Sequence, residues 1–175
     1  MTSINDANFH NAIIDWSNNG AVTYGDIITW DTSGVTDMSF AFHNMGGFNE
    51  DISGWSMGKV TNTQSMFQGA SVFNQPIGDW NMEKVKNTSG MFQNAKAFNY
   101  YIGDWSMGNV TNTSGMFKGA IKFNQYIGYW DISAATRDGI FNNSKIHNDN
   151  SGNSGSGLYA GLGSNGDHFF SKTIL

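Results

Sequence analysis

The chain has no cysteine, a single proline at Pro76, and charge on only 13% of its 175 residues. Without cysteine there is no disulfide framework, no zinc–thiolate site and no thiol nucleophile. One proline against 22 glycines excludes collagen-like and proline-rich linker sequences. It points instead to many tight turns closed by Gly and Asn. Average chains are about 25% charged, so Asn, Ser, Thr and Gly must dress much of this surface. A net charge of -5 argues against nucleic acid, because the chain has too little excess cation to displace counterions from phosphates. No apolar run approaches the ~20 residues of a membrane span, so no membrane insertion is expected. Met1 to Gly20 lack a basic start and an apolar core and carry Asp6 and Asp15, so no signal peptide is read there.

What the sequence does have is a repeat. Trp30, Trp55, Trp80, Trp105 and Trp130 recur at every twenty-fifth position. Ile27, Ile52, Ile77, Ile102 and Ile127 keep the same register, as do Phe48, Phe73, Phe98 and Phe123. Asn49, Asn74, Asn99 and Asn124 follow those phenylalanines, and Val35, Val60, Val85 and Val110 form a further column continued by Ala135. Met66-Phe67, Met91-Phe92 and Met116-Phe117 make another, entered by Ala41-Phe42 and left by Ile140-Phe141. One such unit cannot bury its own Trp, Phe and Ile, whereas a stack of units can.

The fold class expected is therefore a repeat solenoid with one short parallel strand per unit and right-handed crossovers. The β-branched stretch Val60-Thr61-Asn62-Thr63 and its copies are the strand candidates. The M-F-x-x-A stretch is too short for a stable helix and predicts one turn of 3₁₀ or α-helix. Open ends need covers. At the front, Asn5-Asp6 can cap a helix with Phe9, Ile13 and Trp16 on one face, stopped by Asn18-Asn19-Gly20. The division expected is an N-terminal helical cap over 1–23, the repeats over 24–145, and a tail over 146–175. That tail combines a Gly/Ser/Asn-rich linker with apolar Phe169-Phe170 and Ile174-Leu175, and serves as a lid or as a docking arm.

The repeated residues read as structure. Trp30, Trp55, Trp80, Trp105 and Trp130 belong to the core. Asn49, Asn74, Asn99 and Asn124 offer amides that can satisfy turn backbone and bond along the stack. Met57, Met82 and Met107 are pliable core fillers.

Phe73 to Ala95 nearly reproduces the run F-N-Q-P-I-G-x-W-N-V-S-x-V-T-N-M-x-x-M-F-x-x-A, and so resembles the BspA-like leucine-rich repeats of bacterial surface proteins. The segment Tyr24 to Asp31 is similar to the entry of such domains, and the resemblance covers about residues 7 to 145. Departures are small. The Met of V-T-N-M survives as Met38 but becomes Thr63, Thr88 and Thr113, and the Val of N-V-S becomes Met. The resemblance implies non-catalytic surface proteins engaged in adhesion and host or matrix contact. It brings no catalytic residues.

Nothing else in the chain supplies an enzyme. Gly161 to Gly166 matches G-x-G-x-x-G, but the chain ends before the acidic residue a dinucleotide site needs. His10, His43, His147 and His168 have no metal-ligand spacing, and no G-x-S-x-G occurs. No enzymatic activity and no cofactor are expected.

Two columns stand apart. Asp79 and Asp104 occupy equivalent positions in adjacent units, which makes them a weak Ca²⁺ candidate or, more simply, a solvated and splayed pair. Tyr101 and Tyr126 are likewise equivalent, with Tyr100 and Tyr129 beside them, where earlier units hold Asp51, Pro76, Gln75 and Gly54. These four tyrosines are the candidate binding residues, with a purely stabilising ladder as the alternative. The function expected is an adhesion or recognition module at the cell surface or in the extracellular space, for a protein or glycan on a cell or particle surface. A virion component (capsid decoration or tail subunit) docked through the tail is the second expectation, raised by the missing leader.

Overall fold

The structure is a computed structural model, and it describes residues 2–145. The tail expected over 146–175, as lid or docking arm, lies outside the described residues. Strand β1 (Ser3–Asn5) is followed by helix α1 (Phe9–Asn19), a 3₁₀ turn over Ile27–Thr29, and strand β2 (Asp31–Gly34). The two strands pair in parallel, Ser3 opposite Asp31 and Asn5 opposite Gly34, with an irregularity between. Beyond Gly34, among the described residues, pairing shrinks to single parallel bridges from Asp37 to Asn62, Asn87, Asn112 and Thr136.

The backbone accounts for this narrow ladder. Thr63, Ser65, Phe67 and Gly69 donate to the carbonyls of Asn87, Ser89, Met91 and Gln93 in the next unit, at 2.8–3.0 Å. Between them, Met66, Gln68 and Ala70 donate back within their own unit, to Thr63, Ser65 and Phe67. Alternate amides thus serve neighbouring units and local turns, so every one finds an acceptor without a continuous strand. The stretch expected to form one helical turn is instead a run of i→i−3 turns stitched to the next unit. Such a path needs left-handed backbone at two places per unit. Ser65 (φ 52°) and Gly69 (φ 75°) occupy them, and Gly90 (φ 62°) with Asn94 (φ 59°) follow in the next. Gly and Asn are the types that tolerate positive φ best.

The apolar columns fill the interior. Phe42, Phe67, Phe92, Phe117 and Phe141 stack with ring centroids 5.5–5.6 Å apart. Phe48, Phe73, Phe98 and Phe123 form a second pile at 5.7–6.0 Å. Within a unit the two piles touch, Phe92 lying 4.0 Å from Phe98. Ile77, Met82, Val85 and Phe92 are wholly buried, and Trp30, Trp55, Trp80, Trp105 and Trp130 are buried. Indole nitrogens of Trp55, Trp105 and Trp130 each donate to the Ile carbonyl of the preceding unit (Ile27, Ile77 and Ile102) at 3.0 Å. Trp80 differs, for its buried Nε1 has no acceptor. Trp30 stacks on Trp55 and Trp80 on Trp105.

The last unit drops a residue that the Trp spacing conceals. Thr63 and Thr88 each bond the carbonyl at i+24, Asn87 and Asn112, but Thr113 reaches Thr136 at only i+23. Thr136 fills two places, its N–H bonding Thr111 and its carbonyl accepting from Thr113.

At the front, α1 buries Phe9, Ala12 and Ile13. Phe9 meets Trp55 edge-on at 5.7 Å, and Trp16 meets Phe48 in the same way. Gly20 ends the helix with φ 61°, its N–H reaching the Trp16 carbonyl. The cap residue is Asn8, not Asn5-Asp6. Asp6 works at longer range: its carboxylate accepts from Thr36 N–H (2.7 Å), Thr36 Oγ1 (2.6 Å) and Asp37 N–H (3.3 Å). In later units the carbonyl of the preceding unit serves that amide, as Thr36 serves Thr61. His10 completes the substitution, since its Nε2 lies 2.7 Å from the Ser39 carbonyl and must donate to it. One acceptor and one donor from the cap thus replace a missing unit.

Candidate functional site

The turn between each repeated Asn and Trp is built on an amide ladder. Asn49 Oδ1 accepts the Asn74 N–H at 2.9 Å, Asn74 Oδ1 that of Asn99 and Asn99 Oδ1 that of Asn124, both at 2.8 Å. Gln75 and Gln125 add side-chain bonds to the carbonyls of Asn49 and Asn99. These amides are spent on the backbone, which leaves the next residues to face solvent.

The turns also press against one another. A Cβ on Gly78 would stand 2.6 Å from the Tyr101 carbonyl, and one on Gly103 would stand 2.5 Å from the Tyr126 carbonyl. Backbone cannot yield at such distances, so glycine is required at these two positions, two residues before Trp80 and Trp105, where the earlier units carry Ile28 and Ser53. The same space receives the tyrosine rings. A Cβ on Gly103 would meet the Tyr101 ring and hydroxyl at 2.7 Å, so Tyr101 lies flat over the turn of its own unit. Tyr126 lies over Gly128 in the same way and meets Tyr129 edge-on at 5.2 Å.

All four tyrosines are brought to one face and stay exposed, from 38% at Tyr126 to 75% at Tyr129. Among the described residues no ring contact joins Tyr101 to Tyr126, so the face is not a stacked ladder. Tyr101 Oη donates to Asp104 Oδ1 at 3.0 Å. That bond to Asp104, helped by some burial and by the carboxylate's charge, holds the Tyr101 phenol above its ordinary range.

Asp79 and Asp104 line one open cleft of about 150 Å³ together with Pro76, Gly78, Tyr100 and Tyr101. Among the described residues no group of three or more His, Asp or Glu is placed to hold a metal ion. The cleft itself was not foreseen from sequence. Pro76 and Gly78 share columns with Tyr101 and Gly103 and so lie beside them in the stack. No helix among the described residues is long and apolar enough to cross a membrane.

Two overlapping stretches of the chain, residues 9–130 and 75–154, match a family described as Mycoplasma protein of unknown function, DUF285. No curated protein and no solved structure matches the chain.

Proposed function

The chain belongs to the DUF285 family, and from that premise we propose that it is a non-catalytic recognition module displayed at a cell surface or outside the cell. We propose the fold to be a right-handed solenoid of the BspA-like leucine-rich-repeat type. Backbone bonds that run from each unit to the next, and phenylalanine piles that do the same, support that reading. The observation that carries the function is the tyrosine face. Tyr100, Tyr101, Tyr126 and Tyr129 are exposed although a fully buried aromatic interior lies directly behind them. Tyrosine presents a large contact area with little conformational entropy to lose, and its polar tip keeps the free protein soluble.

A rigid, aromatic face of this kind suits a protein or glycan partner. The test is binding of the labelled full chain to immobilised matrix proteins, a glycan panel and cultured epithelial cells. Wild type should bind at least one. Tyr101→Ala plus Tyr126→Ala should weaken that binding about 30-fold or more, as loss of a central anchor does, with the melting temperature kept. Unchanged binding of the double variant would overturn the assignment of this face.

A further inference from the structure

The cleft under the tyrosines has a chemistry of its own. Its six lining residues include two carboxylates, Asp79 and Asp104, two phenol rings, Tyr100 and Tyr101, and no lysine, arginine or histidine. We propose that it binds one cationic side chain, the guanidinium or ammonium of a basic segment on a protein partner. This rests on the recognition-module reading and names the partner's chemistry.

Charge comes first. Among the described residues Asp79 forms no hydrogen bond and no ion pair, and Asp104 is engaged through Oδ1 alone, by the Tyr101 hydroxyl. Two carboxylates in one cleft repel unless a cation sits with them, and no cation of this chain lines the cleft. The ring walls add to the attraction. Tyr100 lines the cleft, is 41% exposed and has no ring partner among the described residues, so no other aromatic ring competes with a guanidinium for it.

Size comes second. A cleft of about 150 Å³ is smaller than the roughly 300–1,000 Å³ of sites that enclose small-molecule ligands. It admits the head and stem of a long side chain, whose parent chain would then lie across Tyr126 and Tyr129 on the next unit. Preorganisation comes third. Gly103 lets the Tyr101 ring lie flat, and the hydroxyl bond fixes ring and carboxylate relative to each other before any ligand arrives. A neutral sugar could use the rings but would leave the Asp79 charge uncompensated.

The experiment is an NMR titration of the full chain with acetyl-Gly-Arg-Gly-amide. Acetyl-Gly-citrulline-Gly-amide serves as the neutral isostere, and lactose as the sugar arm. The arginine peptide should shift Gly78, Asp79, Tyr100, Tyr101 and Asp104, with affinity falling several-fold between about 0.05 and 0.5 M salt, where the Debye length shrinks to roughly 4 Å. Citrulline should bind at least tenfold more weakly. Asp79→Asn plus Asp104→Asn should abolish the response while leaving the other resonances in place. Equal binding of citrulline overturns the proposal, as do shifts spread evenly over Asp31, Asp51 and other surface carboxylates. Lactose shifting the same residues while the arginine peptide does not would also overturn it, yet would leave the recognition reading standing with a sugar as ligand. The recognition reading fails separately, if Tyr101→Ala plus Tyr126→Ala binds its surface partner unchanged.

Discussion

The interior of the repeat and its outer turn obey different rules. Inside, Phe67, Phe92 and Phe117 sit at the same depth with almost the same spacing. The physical reason is that each unit faces an identical neighbour and must fill an identical space, so one residue type solves the problem every time. On the outer turn the pair after the repeated Asn changes at every step, from Glu50-Asp51 to Gln75-Pro76, Tyr100-Tyr101 and Gln125-Tyr126. Apart from the Gln75 and Gln125 amides, which bond the carbonyls of Asn49 and Asn99, those side chains meet water rather than a neighbouring unit, so core packing does not dictate them. Positions that repeat hold the stack together, and positions that vary are free to carry recognition.

The largest effect expected from this contrast is in the phenylalanine piles. Phe92 touches Phe67, Phe98 and Phe117 and is wholly buried. Phe92→Ala should cost ~3–5 kcal/mol in denaturant unfolding, against less than ~0.5 kcal/mol for Tyr129→Ala on the surface. Similar losses at the two sites would erase the distinction.

A subtler contrast lies within the Trp column. Trp105→Phe removes a hydrogen bond and leaves the Ile77 carbonyl with only the longer bond from the Trp80 N–H, whereas Trp80→Phe removes a buried N–H that has no acceptor. The ring volume lost is the same. Trp105→Phe should therefore be the more damaging by about 1 kcal/mol, and equal losses would mean that the indole bonds contribute nothing.

Acid sharpens the comparison between cap and repeats. Hydrogen bonds from the Thr36 side chain and backbone hold the Asp6 carboxyl below its usual value of 3.8. A depressed folded-state value means that the stabilisation is complete above the ordinary carboxylate range and is lost as pH falls through the folded value. Asp15, Asp31 and Asp51 shift in the same direction through bonds to Asn19, Ser33 and Ser53. Asp6→Asn should lower the melting temperature at pH 7 and should lose less on acidification to pH 3 than wild type. A variant as acid-sensitive as wild type would remove Asp6 from the account of the cap.

How much of this could be read in the sequence depends on the range of the interaction. Columns that recur with one fixed period announce stacked neighbours, and the Asn after each Phe could be placed on a backbone-bonding ladder from its donor and acceptor chemistry alone. Strand width could not be read. The β-branched Val60-Thr61-Asn62-Thr63 looks like a strand, but Val60 donates back to Met57 in a turn and only Asn62 forms a bridge. The residue lost at Thr136 is masked in the Trp column, which keeps its period to Trp130, and shows only in the step from Phe117 to Phe141, one residue shorter than the steps before it. Asp6 misled for a related reason. Next to a helix it reads as a local cap, whereas its partners Thr36 and Asp37 are 30 and 31 residues away. The cleft needed Gly78 and Gly103 to be recognised as points of backbone approach, which only the fold reveals.

The most direct test of the division between interior and outer turn moves one turn's residues onto another. Tyr100→Gln plus Tyr101→Pro gives the unit that holds Trp105 the Gln75-Pro76 turn of the unit before it, at a place where Tyr101 N–H donates no bond among the described residues. Surface binding of this variant is the measurement, made well below a melting temperature that should stay within about 2 °C of wild type, as for a surface change worth under ~0.5 kcal/mol. The account predicts a correctly folded chain that has lost its partner. A chain that binds as wild type does, or one that no longer folds, would contradict it.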